Sequence, residues 1–308
     1  MPAIPSSGAI SLSDFAAEFG GTAPHSMSEY YRNGGNVPSN NTNVPTSGEF
    51  RFSQMRGAIN AIIKTLSNTT NVDLATLFGS DWASAVPKQL IIPSGVTVGG
   101  TGSSVALTAS SGMGGTLEID NSGSILGFGG AINGGAGGNA VRISSAGVTI
   151  NNSGLIAGGG GGGGLGGTGG QGRSLVFTGY QCGSSAGCDV ANAAGTCGSG
   201  EAAQTNFACY QYQYFNGGSG GSGGVGQGYN QSAATGLAGA AGGSNAGTGG
   251  TGGTGGSYGA TGGTGGTGAN GNYTNGLAGS SGGAGGRAVL IDVAYTMNNT
   301  GTIHGAYT

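Results

Sequence analysis

The chain has 308 residues, of which 77 are glycine; only 6% are charged, and the net charge is −3. Glycine brings no side chain to a core and loses the most backbone entropy on folding, so a glycine-rich region must be held by main-chain hydrogen bonds and close packing. Six arginines and two lysines build no nucleic-acid footprint, and the weak net charge implies no strong electrostatic partner.

Residues 1–88 have ordinary composition. The opening MPAIPSSGAISLSDF has neither a basic n-region nor an apolar h-region, so no signal peptide is expected. No run of roughly 18 apolar residues occurs that would span a membrane. The zone contains a repeat: Pro5-Ser6-Ser7-Gly8-Ala9-Ile10-Ser11-Leu12-Ser13-Asp14-Phe15 matches Pro45-Thr46-Ser47-Gly48-Glu49-Phe50-Arg51-Phe52-Ser53-Gln54-Met55. Each copy reads as a turn, a short extended piece and a serine that opens a helix. Met55, Ile59, Ile62, Ile63 and Leu66 follow at helical spacing and predict an amphipathic helix over 54–67. Such a helix serves either a small core or packing on neighbouring subunits.

Residues 89–157 read as β structure, with two short strands around a turn in Leu90–Val98. The pattern N-[ST]-G-x-I-x-G occurs at Asn121, at Asn152 and again at Asn299. A second repeat, Gly134–Ile143, matches Gly282–Ile291. Recurrent short strands joined by Asn-Gly turns suggest stacked rungs, as in a short β-solenoid or sandwich. Copies lie on both sides of the glycine tract, so packing them together requires the chain to leave at Ile156 and return at Val289. Residues 287–308 are then a closing β segment that packs with 89–157.

Residues 158–286 hold a glycine run at 158–164 and then triplets, clearest at Thr248, Thr251 and Thr254 and resuming at Thr261, Thr264 and Thr267. A period of three is that of the polyproline II helix, which has no internal hydrogen bonds and leaves its N–H and C=O groups for neighbouring helices. The tract reads as a bundle of polyglycine II helices; a flexible linker is the competing reading. The fold class expected is therefore mostly β and polyglycine II, with a small mixed N-terminal region.

The largest interruption, 173–216, carries Tyr180, Tyr210, Tyr212, Tyr214, Phe215 and all four cysteines, Cys182, Cys188, Cys197 and Cys209. Their spacing makes no paired CxxC zinc motif; one or two disulfides, or four reduced thiols, are the readings open. Tyrosine offers large contact area and a hydroxyl at low entropy cost, which marks these residues, with Tyr229, Tyr258 and Tyr273 in smaller interruptions, as candidates for recognition. A small local core is the alternative use of the same rings. No catalytic, metal or cofactor site is expected: neither Lys64 nor Lys88 follows glycine as a phosphate-binding loop requires, and chance GxGxxG matches are worthless in such a chain. Asp189 with Glu201, or Glu118 with Asp120, reads as solvated acids before it reads as a catalytic or cation-binding pair.

The Pro5–Phe15 block, its copy at Pro45 and Ser28-Glu29-Tyr30-Tyr31-Arg32 resemble N-terminal segments of tailed-phage virion proteins. The block from Ile91 to Gly164, with the GGxGG runs beyond it, resembles the glycine-rich C-terminal regions of phage tail-fibre proteins and tail-tip adhesins. That resemblance implies a polyglycine II sandwich with receptor-binding loops and a place on the virion tail, outside the cell. It further implies contact with other tail proteins through residues 1–88, recognition of a bacterial outer-surface protein or glycan, and homo-oligomers, trimers first. The four cysteines and the attachment block in the same chain depart from the family pattern. A purely architectural tail protein is the alternative, and an ice-binding protein, suggested by the threonine rows, is a remote one.

Overall fold

The computed structural model describes residues 4–197 and 204–308. Residues 1–128, 138–158 and 286–308 form one compact unit, and 129–137 with 159–285 form the other. No helix among the described residues is long and apolar enough to cross a membrane.

The first unit opens with a small module built on one local device. The helix α1 (Leu12–Phe19) starts at Ser11, whose main-chain N–H donates to Asp14 Oδ2 at 2.6 Å. Ser26 repeats the arrangement with Glu29 (3.1 Å) and Arg51 with Gln54 (2.6 Å), satisfying main-chain donors that a helix start leaves open. These turns fold over Phe15, Tyr30 and Met55, all fully buried. Phe15 meets the edge of Phe52 at 4.9 Å, and the Tyr30 hydroxyl donates to the Gly20 carbonyl at 2.9 Å.

The expected helix over 54–67 does not form. The second repeat gives one 3₁₀ turn, Phe52–Met55, and the chain then reverses through Gly57 at φ +69°. Ile62–Thr65 is instead the strand β1, paired in parallel with Lys88–Ile91. Apolar residues at 59, 62, 63 and 66 fit a helix, but Ile62, Ile63 and Thr65 are β-branched, and partner strands decide between the two readings.

From β1 onward the chain winds in rungs. β1 (Ile62–Thr65), β2 (Thr69–Thr70) and β3 (Val72–Asp73) are followed by α2 (Leu74–Phe78). The next rungs are β4 (Lys88–Ile92), β5 (Thr97–Gly99) and β6 (Leu107–Ala109), then β7 (Leu117–Asn121), β8 (Ser124–Leu126) and β9 (Val141–Ile143), then β10 (Val148–Asn152) and β11 (Leu155–Ala157). In the second unit come β12 (Gly172–Cys182), β13 (Val190–Cys197) and β14 (Gln204–Phe215). The chain then adds β15 (Val289–Ile291), β16 (Thr296–Asn299) and β17 (Thr302–His304) to the first. Three parallel sheets result, in the orders β1-β4-β7-β10-β16, β17-β11-β8-β5-β2 and β15-β9-β6-β3. Leu90, Ile119 and Ile150 stack in register inside, as do Val98, Ile125 and Ile156, all fully buried. Burying such a side chain contributes roughly 1.5–3 kcal/mol.

At one corner the Asn-[Ser/Thr]-Gly copies lie one above another. Asn121 Nδ2 donates to Asn152 Oδ1 at 2.7 Å, and Asn152 Nδ2 to Asn299 Oδ1 at 2.6 Å. A Cβ at Gly154 would strike the carbonyl of Gly123 on the rung beside it, so the corner requires glycine. The Gly134–Ile143 copy brings Val141 opposite Val289. The chain leaves after β11, and the side that its rung lacks is supplied by β15 from beyond the glycine tract.

In the second unit the glycine segments are extended and bonded at every third residue. Gly160, Gly163, Gly166 and Gly169 donate to Gln227, Gly224, Gly221 and Gly218; Gly161, Gly164, Gly167 and Gly170 donate to Ala260, Gly263, Gly266 and Ala269, all at 2.7–2.9 Å. The same segment accepts from 247–256 and 277–283 and exchanges bonds with 130–135. The last of these contacts accounts for the run of bare glycines: Gly162 packs on Ala131, whereas Leu165 and Thr168, in the same register beyond that neighbour, are exposed. A Cβ at Gly163 would penetrate the carbonyl of Gly253, so on this segment side chains are confined to the outward third position.

Candidate functional site

Adjacent segments run in opposite directions for the most part, so their turns collect at two ends of the unit. At the end where the chain comes in at Gly159 and leaves at Gly285 lie the turns of Tyr229 and Tyr258. Gly228 and Gln231 close the first turn on each other; Tyr258 Oη donates to the Gly228 carbonyl at 3.3 Å, and burial pushes its phenol pKa up. At the opposite end lie the 243–246 turn, the 270–275 turn and the insert 172–215. The eight aromatics singled out in the sequence therefore do not form one surface: Tyr229 and Tyr258 are separated from the rest by the length of the glycine segments.

The insert is an antiparallel sheet in the order β12-β14-β13. Directly opposed residues share a face, so Arg173, Leu175 and Phe177 lie on the same side as Tyr214, Tyr212 and Tyr210. A bulge at Thr178 returns Tyr180 to that side. The rings make a chain of contacts: Tyr180 to Phe177 at 5.0 Å, Phe177 to Tyr210 at 5.6 Å, Tyr212 to Tyr214 at 6.4 Å and Tyr214 to Tyr273 at 4.9 Å. Tyr180 is 64% exposed and Tyr214 52%, so this is an outward face and not a closed core. Phe215 stands on the other face, opposite Gly172, and packs beside Gly243.

Sequence reasoning missed Arg173. Its guanidinium lies 4.3 Å from the Tyr212 ring centre and 4.9 Å from that of Tyr273, joining the sheet to the 270–275 turn. Its main-chain N–H donates to Asn272 Oδ1 (2.7 Å), and its carbonyl accepts from Asn272 Nδ2 (2.9 Å) and Asn245 Nδ2 (3.3 Å). Both turns thus clamp the root of β12. The only sequence signal was a cation placed where the glycine run stops and the aromatics begin.

Cys188 and Cys209 form a disulfide that ties the start of β13 to β14, and Cys182 is also disulfide-bonded. The side chain of Cys197 lies outside what the structure describes. Asp189 accepts from the Tyr212 main-chain N–H at 2.7 Å, a structural role; Glu201 lies outside the described residues. Asp120 joins Gln89 (2.6 Å) and Asn151 (2.8 Å), and Asn151 also reaches Glu118 (2.6 Å), so those acids belong to a polar ladder along the strands. No group of three metal-ligating side chains occurs among the described residues.

A groove of about 700 Å³ lies in the first unit, between the N-terminal module and the starts of β7, β10 and β16. Its acids are already engaged, Glu18 by the Asn60 main chain (2.8 Å) and Glu118 by Asn151. It gathers no aromatic row or cation comparable to that of the insert.

A search of curated proteins finds no match. Among solved structures, the gp37–gp38 adhesin tip complex of the bacteriophage S16 long tail fibre is similar at 18% identity, covering 96% of this chain and 97% of that one, with a TM-score of 0.41. So low a score carries no argument; the assignment rests on the family model for the phage tail fibre adhesin Gp38, which matches residues 59–308. The chain belongs to the Gp38 family of phage tail fibre adhesins.

Proposed function

We propose that this chain is a receptor-binding adhesin of the phage tail, without enzymatic activity, that recognises the bacterial surface through the aromatic face of residues 173–214 and Tyr273. One observation carries the reading: the glycine unit places this face at the end opposite the one where its chain comes in and leaves. We read the glycine unit as a polyglycine II sandwich and the strand stack as a short β-solenoid. Their rigidity lowers the ordering cost of binding, as does the Cys188–Cys209 disulfide. Residues 1–88 are the part we assign to other tail proteins, with a trimer as the assembly. Particles carrying a deletion of 174–215 should assemble and fail to adsorb; adsorption at the parental rate would sink the assignment.

Thr248, Thr251 and Thr254 lie exposed beside the exposed Thr261, Thr264 and Thr267, the two segments being hydrogen-bonded neighbours. That regular surface supports ice binding as a second reading, and thermal hysteresis of the purified chain tests it.

A further inference from the structure

β12 is an edge strand, and its outer edge is open beyond Arg173. The phase of the sheet shows which groups face out. Arg173 turns its N–H and C=O away from β14, toward Asn272 and Asn245. On β14 the Tyr212 N–H likewise faces away from β12, toward Asp189. By the two-residue period of a strand, the N–H and C=O of Leu175 and Phe177 point out from the edge. There they meet no main-chain or side-chain partner among the described residues.

Natural sheets protect such edges with charge, proline or a covering segment. This one carries Ser174-Leu175-Val176-Phe177, which has neither charge nor proline. Leu175 and Phe177 on one face are 47% and 48% exposed, and Val176 on the other is 43% exposed, so nothing among the described residues covers the strand from either side. Alternating outward donors and acceptors are matched by another polypeptide backbone and not by a sugar chain. The aromatic face supports the same choice: neighbouring rings are inclined by 47–67°, so they offer no flat platform for a sugar ring. At the root of the edge stands the Arg173 guanidinium, held between two rings and paired with no carboxylate among the described residues.

We propose that the outer edge of β12 takes an extended, acid-bearing segment of a host surface protein as an added strand. Leu175 and Phe177 supply the main-chain bonds, and Arg173 takes the carboxylate. This rests on the tip reading above and names its partner as protein.

The test uses the full-length chain on an array of random decapeptides. Bound peptides should be enriched in Asp or Glu, and N-methylation at alternate residues should weaken binding about tenfold, the loss of one main-chain hydrogen bond. Leu175→Pro, which removes an outward N–H at an edge position where proline is tolerated, should cost a similar factor, while Leu175→Ala keeps most of the binding. Arg173→Gln should erase the acidic preference. If Leu175→Pro does not fold, the N-methylated peptides test the same bonds from the other side. An array that retains no peptide, binding indifferent to N-methylation, or enrichment without acids overturns the proposal. If deletion of 174–215 abolishes adsorption while the array stays empty, only this inference falls; if adsorption survives the deletion, the tip reading falls as well.

Discussion

The strand stack and the glycine segments solve one problem, burying a main chain, in opposite ways. In the stack, parallel strands pair their own backbones, and the space between sheets is filled by side chains such as Leu90, Ile119 and Ile150. Around the central glycine segment 159–170, carbonyls and N–H groups of neighbouring segments fill the interior, and side chains stand only at the outward third position, as at Leu165 and Thr168. The first design tolerates a change of shape at the cost of a cavity. The second has no soft atom to yield. That contrast suits a display scaffold, because the position of each turn is then set by main-chain bonds that repeat along the segment.

Substitutions can break this comparison. Gly163→Leu should be the most damaging, above about 5 kcal/mol, because its Cβ meets the Gly253 backbone and not a movable side chain. Loss of the cooperative thermal transition of the glycine unit is the readout, and a mild variant would show that the segments can separate. Ile150→Ala should cost about 2–5 kcal/mol in denaturant unfolding, the ordinary loss for an emptied core site. Asn152→Ala should follow at about 1–3 kcal/mol, since it leaves the amides of Asn121 and Asn299 without their ladder partner. Thr168→Val sharpens the contrast from the other side. It lies on the same segment as Gly163 but at the exposed third position, so its effect should stay within about 0.5 kcal/mol.

A smaller effect follows from Asp292 beside β15. Hydrogen bonds from Ser144 Oγ (2.7 Å) and Arg142 Nε (2.7 Å) hold its carboxyl below the ordinary carboxylate range. A depressed folded-state pKa means that the stabilisation is complete above the ordinary carboxylate pKa and lost as pH falls through the folded value. Amide exchange of 289–291 should therefore quicken in acid before that of 148–152, and Asp292→Asn should remove the difference.

Much of this is legible in the amino-acid sequence. The Asn121, Asn152 and Asn299 copies mark one corner on successive rungs, because a ladder of side-chain amides needs the same residue at each level. The match of Gly134–Ile143 to Gly282–Ile291 carries the pairing of Val141 with Val289, since equivalent rung positions demand the same small and apolar residues. The helix over 54–67 was misread because Ile62 and Ile63 suit either period until Lys88 and Gln89 pair with them. Of the aromatics, Tyr180, Tyr210, Tyr212, Tyr214 and Tyr273 come together, while Phe215 faces away, Tyr229 and Tyr258 lie at the other end, and Arg173 went unnoticed.

What the sequence determined by itself is local or periodic: the Ser11 start of α1, the strand alternation, the triplet spacing of the glycine segments, and the family to which residues 59–308 belong. What the tertiary structure decided is direction and neighbourhood. Composition does not say which way an extended glycine segment runs, because its bonds go to other segments and none lie within it. The course of those segments alone decides which turns share an end, and the phase of one sheet decides which groups of β12 face outward.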